Sequence, residues 1–293
     1  MSKKYTTEEY AFLINEALEK VLSNCGDNVV SEAMKYSVRN GGKRIRPILV
    51  LEFCRMCGGN IEEALPFACA IEMIHTYSLI HDDLPCMDND DMRRGQPSCH
   101  IKFKEHFALL AGDGLLTHAF SSVLSSEIAK KAPQKTLKAL SVLAEGAGNK
   151  GMIGGQVIDL ESEGKEIDSN TLEKMDSLKT GALIKAAAVM GVILADGSDE
   201  QIKAAENFAL KLGHAFQVVD DILDVVGSAE ALGKPIGSDV VSEKSTYVSL
   251  LGLEMSQIYA KKLTDEALAS LSVFGDEAEY MRDLSKKLLS RRN

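Results

Sequence analysis

Phe208 to Val226 reads FALKLGHAFQVVDDILDVV. Phe208, Leu212, Ala215, Phe216, Val219, Ile222, Leu223 and Val226 recur at three- and four-residue intervals, the spacing that lines one side of an α-helix. On that helix Asp220 and Asp224 lie one turn apart on a shared face, with Asp221 beside them. Carboxylates stacked among apolar core positions are costly unless something neutralises them.

Far upstream, HTYSLIHDDLPCMDNDDMRRGQPSCH (His75 to His100) poses the same question more sharply. Asp82, Asp83, Asp88, Asp90 and Asp91 crowd together and Arg93 and Arg94 follow at once. Like charges this dense need solvent or cations. Aspartate oxygens with little else suit Mg2+, which shares its shell with phosphates, and paired arginines grip phosphate oxygens. Two aspartate clusters facing one cavity would hold several Mg2+ ions and clamp a diphosphate. Asp82 and Asp88 would not share a face of one continuous helix, so the chain has to break at Pro85 and fold back. A calcium loop starting at Asp88 wants an oxygen ligand at Met92 and glycine at Arg93, and has neither.

The whole chain agrees with a helical reading. Its 293 residues are 45% apolar, hold 6 prolines and no tryptophan, and offer no sustained two-residue alternation. Thr6 with Glu9, Asn60 with Glu63, Asn170 with Glu173 and Ser198 with Gln201 fit capping boxes. No linker or repeat divides it, which predicts one all-α domain over 1–293 with ten or more helices. A net charge of −10 excludes nucleic acid as a partner. The polar start has no signal-peptide core, and the longest apolar run, Ala186 to Ala195, is about half a membrane span. A soluble, cytoplasmic chain without membrane insertion is expected, its six cysteines reduced. Cys54 and Cys57 have redox-motif spacing but no flanking βαβ pattern.

Other groups look like anion ligands. Gly41-Gly42-Lys43-Arg44-Ile45-Arg46-Pro47 puts three cations beside glycine-exposed amides at a helix start. His75 precedes Asp82 by two turns, so the two face nearly the same way. Gly154-Gly155-Gln156 with Asp159 reads as a close helix contact with polar groups turned inward. Lys179-Thr180-Gly181 puts a cation and a hydroxyl where another chain can approach, and Gly227 to Tyr247 contains a loop with Lys234.

Taken in order, GGKRIRP (41–47), DDLPCMD (82–88), MRRG (92–95), GGQ (154–156), KTG (179–181) and FQVVDDILD (216–224) resemble the motifs of the trans-polyprenyl diphosphate synthases over most of the chain, and those of bacterial farnesyl diphosphate synthases in particular. The resemblance implies a single large helical bundle of the isoprenoid synthase type with a central cavity. It implies head-to-tail condensation of isopentenyl diphosphate with dimethylallyl and geranyl diphosphate to give farnesyl diphosphate and pyrophosphate. Mg2+, three ions per site, would be held by Asp82, Asp88 and Asp220, with Asp83, Asp221 and Asp224 supporting the metal and water shells. Arg93, Lys179 and Lys234 would hold the allylic diphosphate; Lys43, Arg46, His75 and Arg94 the isopentenyl diphosphate. Thr180 and Gln217 would turn oxygens toward the carbocation. Tyr77, with Ser78, would form a floor limiting product length. A homodimer is implied, and Arg291 and Arg292 match a basic tail. The alternatives are a geranylgeranyl or bifunctional synthase, a terpene cyclase on the same fold, and a non-catalytic partner subunit.

Overall fold

The computed structural model describes residues 3–226 and 245–289. Lys234, Arg291 and Arg292 lie outside the described residues. The chain divides into two compact units, Met1–Ser141 with Ile193–Asp196, and Val142–Val192 with Gly197–Asn293.

The first unit holds α1 (Thr7–Leu22), α2 (Val29–Arg39), α3 (Ile45–Met56), α4 (Ile61–Asp82), α5 (Cys99–Phe103), α6 (Glu105–Leu124) and α7 (Glu127–Lys131). α8 (Pro133–Ala147) begins here. α4 packs against α3 and α6 around Phe53, Phe67, Ile71 and Met73. Both α3 and α4 are apolar on nearly every side, as helices buried from all directions must be. The charges they bury are compensated. Arg55 Nε and Nη2 donate to Glu52 at 2.9 and 2.8 Å, and the Tyr10 hydroxyl donates to the same carboxylate.

The sequence shows no strand pattern, yet a short antiparallel hairpin pairs β1 (Met92–Arg93) with β2 (Gln96–Pro97). Its tip, Arg94-Gly95, has positive φ at both residues (53° and 74°), the geometry of a tight two-residue hairpin turn. Two-residue strands are too short to register as alternation.

The second unit contains α9 (Met152–Ser162), α10 (Ser169–Asp176), a π-helical turn (Ser177–Gly181), α11 (Ala182–Leu194), α12 (Asp199–Val226), α13 (Tyr247–Leu251), α14 (Leu253–Ser270), a 3₁₀ segment (Leu271–Ala278) and α15 (Glu279–Leu289). α12 is the long helix expected from its periodicity, and it packs along α14.

Thr6 with Glu9 and Ser198 with Gln201 close reciprocal capping boxes. Asn60 caps α4 from one side only, accepting from Glu62 N. Asn170 is not a cap. α10 starts earlier, because Asp168 accepts from Thr171 N at 2.8 Å and serves the same orphan donors.

Among the described residues two helical runs, Glu105–Leu124 and Ser169–Leu194, are long and apolar enough to cross a membrane. The second is 67% buried over its apolar window, as a core helix is. The first carries Asp113 near its middle, where a bilayer would penalise it by about 3 kcal/mol.

Candidate active site

In the first unit the aspartate cluster sits where α4 ends. Asp82 is the last helical residue, and Asp88 N donates to Asp82 O at 2.9 Å, so the turn through Pro85 brings Asp88 back to Asp82 as its spacing requires. Asp82 is half-buried and Asp88 exposed, with Asp90 and Asp91 exposed beyond. Asp83 differs. It is buried and paired to Arg93, whose Nε lies 2.9 Å away, while Nη2 also reaches Asp90 at 3.2 Å. Burial raises the Asp83 pKa against the pull of Arg93. The hairpin therefore anchors the aspartate turn through Arg93.

The neighbouring residue, Arg94, reaches the glycine loop and donates to Gly41 O. A Cβ at Gly42 would stand 2.7 Å from the Arg94 guanidinium carbon, so a side chain there would push Arg94 aside. Gly42 also has φ 126°, a conformation other residues rarely adopt. Of the three cations in this loop, Arg44 is turned into the core. Its guanidinium donates to Glu72 Oε1 (2.6 Å), Val38 O (2.8 Å) and Asn15 Oδ1 (3.1 Å). Lys43 stays exposed, and Arg46 Nη1 lies 3.5 Å from His75 Nε2. Arg46 Nε is buried without a hydrogen-bond partner, and burial lowers its pKa to about 10. Burial and the cations Arg46 and Arg94 hold His75 well below the usual histidine range, so it is neutral. Arg46 and Arg94 thus lie close enough to repel each other, with Lys43 three residues before Arg46, and Glu72, an acid near both arginines, is already taken by Arg44. Such a cluster is built for an anion.

Below Asp82 on α4, Tyr77 is buried and packs edge-on against His81 with ring centroids 5.7 Å apart. His81 in turn bonds Leu109 O at 3.0 Å and occupies the space a side chain at Gly112 of α6 would need. The Ser78 hydroxyl donates to His75 O.

The second unit builds a cavity of about 320 Å³ lined by Asp159, Asp176, Lys179, Thr180, Gln217, Asp220 and Asp221, among others. Asp220 is half-buried on its wall. Asp221 is buried and accepts from Gln217 Nε2 (3.1 Å) and from Tyr247 N (2.8 Å), which fixes α13 to α12. Asp224 is buried and does not line the cavity. Lys179 and Thr180 come from the π turn, and Lys179 Nζ donates to Asp159 at 2.5 Å. That bond names the partner of one of the inward-turned polar groups of α9. The close helix contact is there too, since a Cβ at Gly155 would stand 2.1 Å from Lys179 N.

Asp176 was not legible as a site residue. Its Oδ2 is buried without a hydrogen-bond partner, the buried Tyr247 hydroxyl facing it without completing one. Burial, and then the Asp221 charge, push the Asp176 pKa up to about 8. No chemistry-bearing motif marks it; only its place three residues before Lys179 points to it. Among the described residues no three acidic, histidine or cysteine side chains form a ready metal cage. An Mg2+ ion held by one or two carboxylates, waters and substrate phosphates needs none. Five acidic side chains, Asp159, Glu163, Asp176, Asp220 and Asp221, against one paired lysine around the cavity fit such an ion at Asp220, as the half-buried Asp82 and exposed Asp88 do in the first unit.

The sequence pattern of the polyprenyl synthetase family matches residues 27–282. The chain belongs to that family. This polyprenyl synthetase is 44% identical to the large subunit 1 of the heterodimeric geranylgeranyl pyrophosphate synthase of Arabidopsis thaliana, over 97% of this chain and 78% of the other. It is 41% identical to a geranylgeranyl diphosphate synthase of Cyanophora paradoxa, over 96% and 94%. Its fold matches the crystal structure of an FPP/GFPP synthase from Zymomonas mobilis with a TM-score of 0.86, 38% identity and 97% coverage of each chain. The fold is accordingly that of the isoprenoid synthases, and the activity of this polyprenyl synthetase is prenyl chain elongation.

Proposed function

We propose that this chain condenses allylic diphosphates with isopentenyl diphosphate, head to tail, and carries the product to geranylgeranyl diphosphate. One observation carries the condensation: the buried Arg46 Nε, which lacks a protein partner, stands in a cluster with Arg94 and neutral His75, and Lys43 lies three residues before it. The cluster suits the diphosphate of isopentenyl diphosphate and would hold that substrate's double bond in place for attack. The relatives named as geranylgeranyl synthases favour the geranylgeranyl product.

Asp82, Asp88 and Asp220 are the residues assigned to Mg2+, which when bound supplies charge neutralisation of the allylic diphosphate as it leaves. Lys179 exchanges Asp159 for diphosphate oxygen, a swap that leaves the lysine charged and compensated in both states. Arg93, held by Asp83, is the further cation assigned there. Thr180 and Gln217, which line the cavity, are the residues assigned to turn oxygens toward the cationic carbon. No side chain is assigned as base for the final proton; the departing pyrophosphate takes that role. The active species is proposed to be a homodimer.

A second reading, termination at farnesyl diphosphate, is favoured by Tyr77, a buried aromatic about 7.5 Å of helix rise below Asp82. The test is a product assay. Purified protein receives isopentenyl diphosphate with dimethylallyl, geranyl or farnesyl diphosphate, with Mg2+ or with EDTA, and products are sized by chromatography. Magnesium-dependent geranylgeranyl product is expected. Product stopping at farnesyl keeps the chemistry and selects the second reading, and no condensation with any allylic partner removes both.

A further inference from the structure

Outside the cavity wall, the second unit holds a part-buried polar pair that the reaction above does not use. Ser177 opens the π turn, and its hydroxyl lies 2.7 Å from Glu173 O and 2.5 Å from His214 Nε2. His214 belongs to α12 and is buried. Glu173 Oε1 stands 3.8 Å from the other ring nitrogen. Serine, histidine and glutamate in a row resemble a hydrolytic triad, but the hydrogen bonds do not support one. The single serine proton goes to the Glu173 carbonyl, which leaves the imidazole N–H as donor to the serine oxygen. A serine so committed has no base to activate it.

The pair's position explains it better. Lys179 and Thr180 follow Ser177 within the same π turn, and Gln217 and Asp220 follow His214 on α12. Around this bond the turn rests on bare backbone: Gly155 meets Lys179, and Gly213 would place a Cβ 3.3 Å from the Gly181 Cα. Glycine contacts allow close approach but give no direction. A π turn holds one more residue than an α turn, so a slip back to α geometry would rotate the side chains it carries by about 100°. Lys179 would then leave both Asp159 and the cavity.

We propose that Ser177 and His214 are positioning residues, whose hydrogen bond fixes the π turn bearing Lys179 and Thr180 against the helix bearing Gln217 and Asp220. The proposal rests on the reading that Lys179 and Asp220 serve the allylic diphosphate. Ser177→Ala and His214→Leu each remove the bond, while Ser177→Thr keeps the hydroxyl and His214→Gln keeps a donor near the Nε2 position.

Steady-state kinetics of the full chain, with the melting temperature of each variant, make the test. Removing the bond is expected to raise KM for the allylic diphosphate about tenfold and to lower kcat, with KM for isopentenyl diphosphate within about twofold of wild type. Ser177→Thr and His214→Gln should recover most of the loss. A fall in melting temperature with unchanged kinetic constants would reduce the pair to scaffold and overturn the proposal, as would an equal rise in both KM values. Absence of prenyl transfer by the wild-type protein would remove the underlying reading, an outcome distinct from an active wild type whose variants behave like it.

Discussion

Carboxylate roles are separable residue by residue because neighbours differ. Asp82 and Asp220 keep access to solvent and cavity, whereas Asp83 and Asp221 are turned to protein donors. Asp82→Ala or Asp220→Ala should therefore lower kcat at least a hundredfold with unchanged circular dichroism, and near-normal turnover in either would end their assignment. Asp176 predicts a pH effect of unusual sign. Its pKa is about 8 in the folded chain against 3.8 ordinarily, so between those values the native state holds a proton the unfolded state has released. Stability from this group is greatest below the ordinary value and falls as pH rises toward about 8. At about 1.4 kcal/mol per pKa unit, Asp176→Asn should stabilise the substrate-free protein by a few kcal/mol at pH 8 and by little at pH 4. Melting curves in EDTA across that range decide it; a constant difference would mean Asp176 is ionised throughout. Residue types and spacing revealed the aspartates, but not that Arg44 faces inward, since three cations within four residues do not record which of them finds a buried Glu72, twenty-eight positions beyond Arg44.

At the scale of elements, α4 joins three functions along one axis: it compensates Arg44 at Glu72, presents His75 to Arg46, and ends in Asp82. Glu72→Ala leaves a buried guanidinium uncompensated, a loss of roughly 3–5 kcal/mol, and should also raise KM for isopentenyl diphosphate because the loop carrying Lys43 and Arg46 loses its anchor. Thermal melts with substrate titrations check both effects. Tyr77 on the same helix belongs to product length: Tyr77→Ala opens space beside His81, and chromatography should find longer products than wild type makes. An unchanged distribution would put the limit elsewhere. The periodicity of α12 and two of the four expected capping boxes were readable because they are local. The π turn was not, since Gly155, Gly213 and His214, which meet Lys179, Gly181 and Ser177 of SLKTG, come from distant segments. Nor was Tyr247, whose backbone N–H reaches Asp221 across 26 residues.

For the whole molecule, the net charge of −10 and the two acidic clusters have one thermodynamic consequence. Carboxylates gathered for a cation repel one another without it, so the folded chain should gain stability from the cation together with its phosphate partner. A ligand at a hundred times its dissociation constant adds about 2.7 kcal/mol. For a chain of this length that corresponds to a rise of roughly 5 °C in melting temperature. Mg2+ with inorganic pyrophosphate should produce such a shift, Mg2+ alone a smaller one, and EDTA should reverse both. Sodium chloride at matched ionic strength should do much less, because screening acts on all surface charges while the proposed ions act only at the aspartates assigned to them. The same melts on Asp220→Ala separate the two explanations: a retained pyrophosphate shift would mean the anion binds without the second aspartate cluster, and an abolished one would tie the ion, the phosphate and Asp220 together.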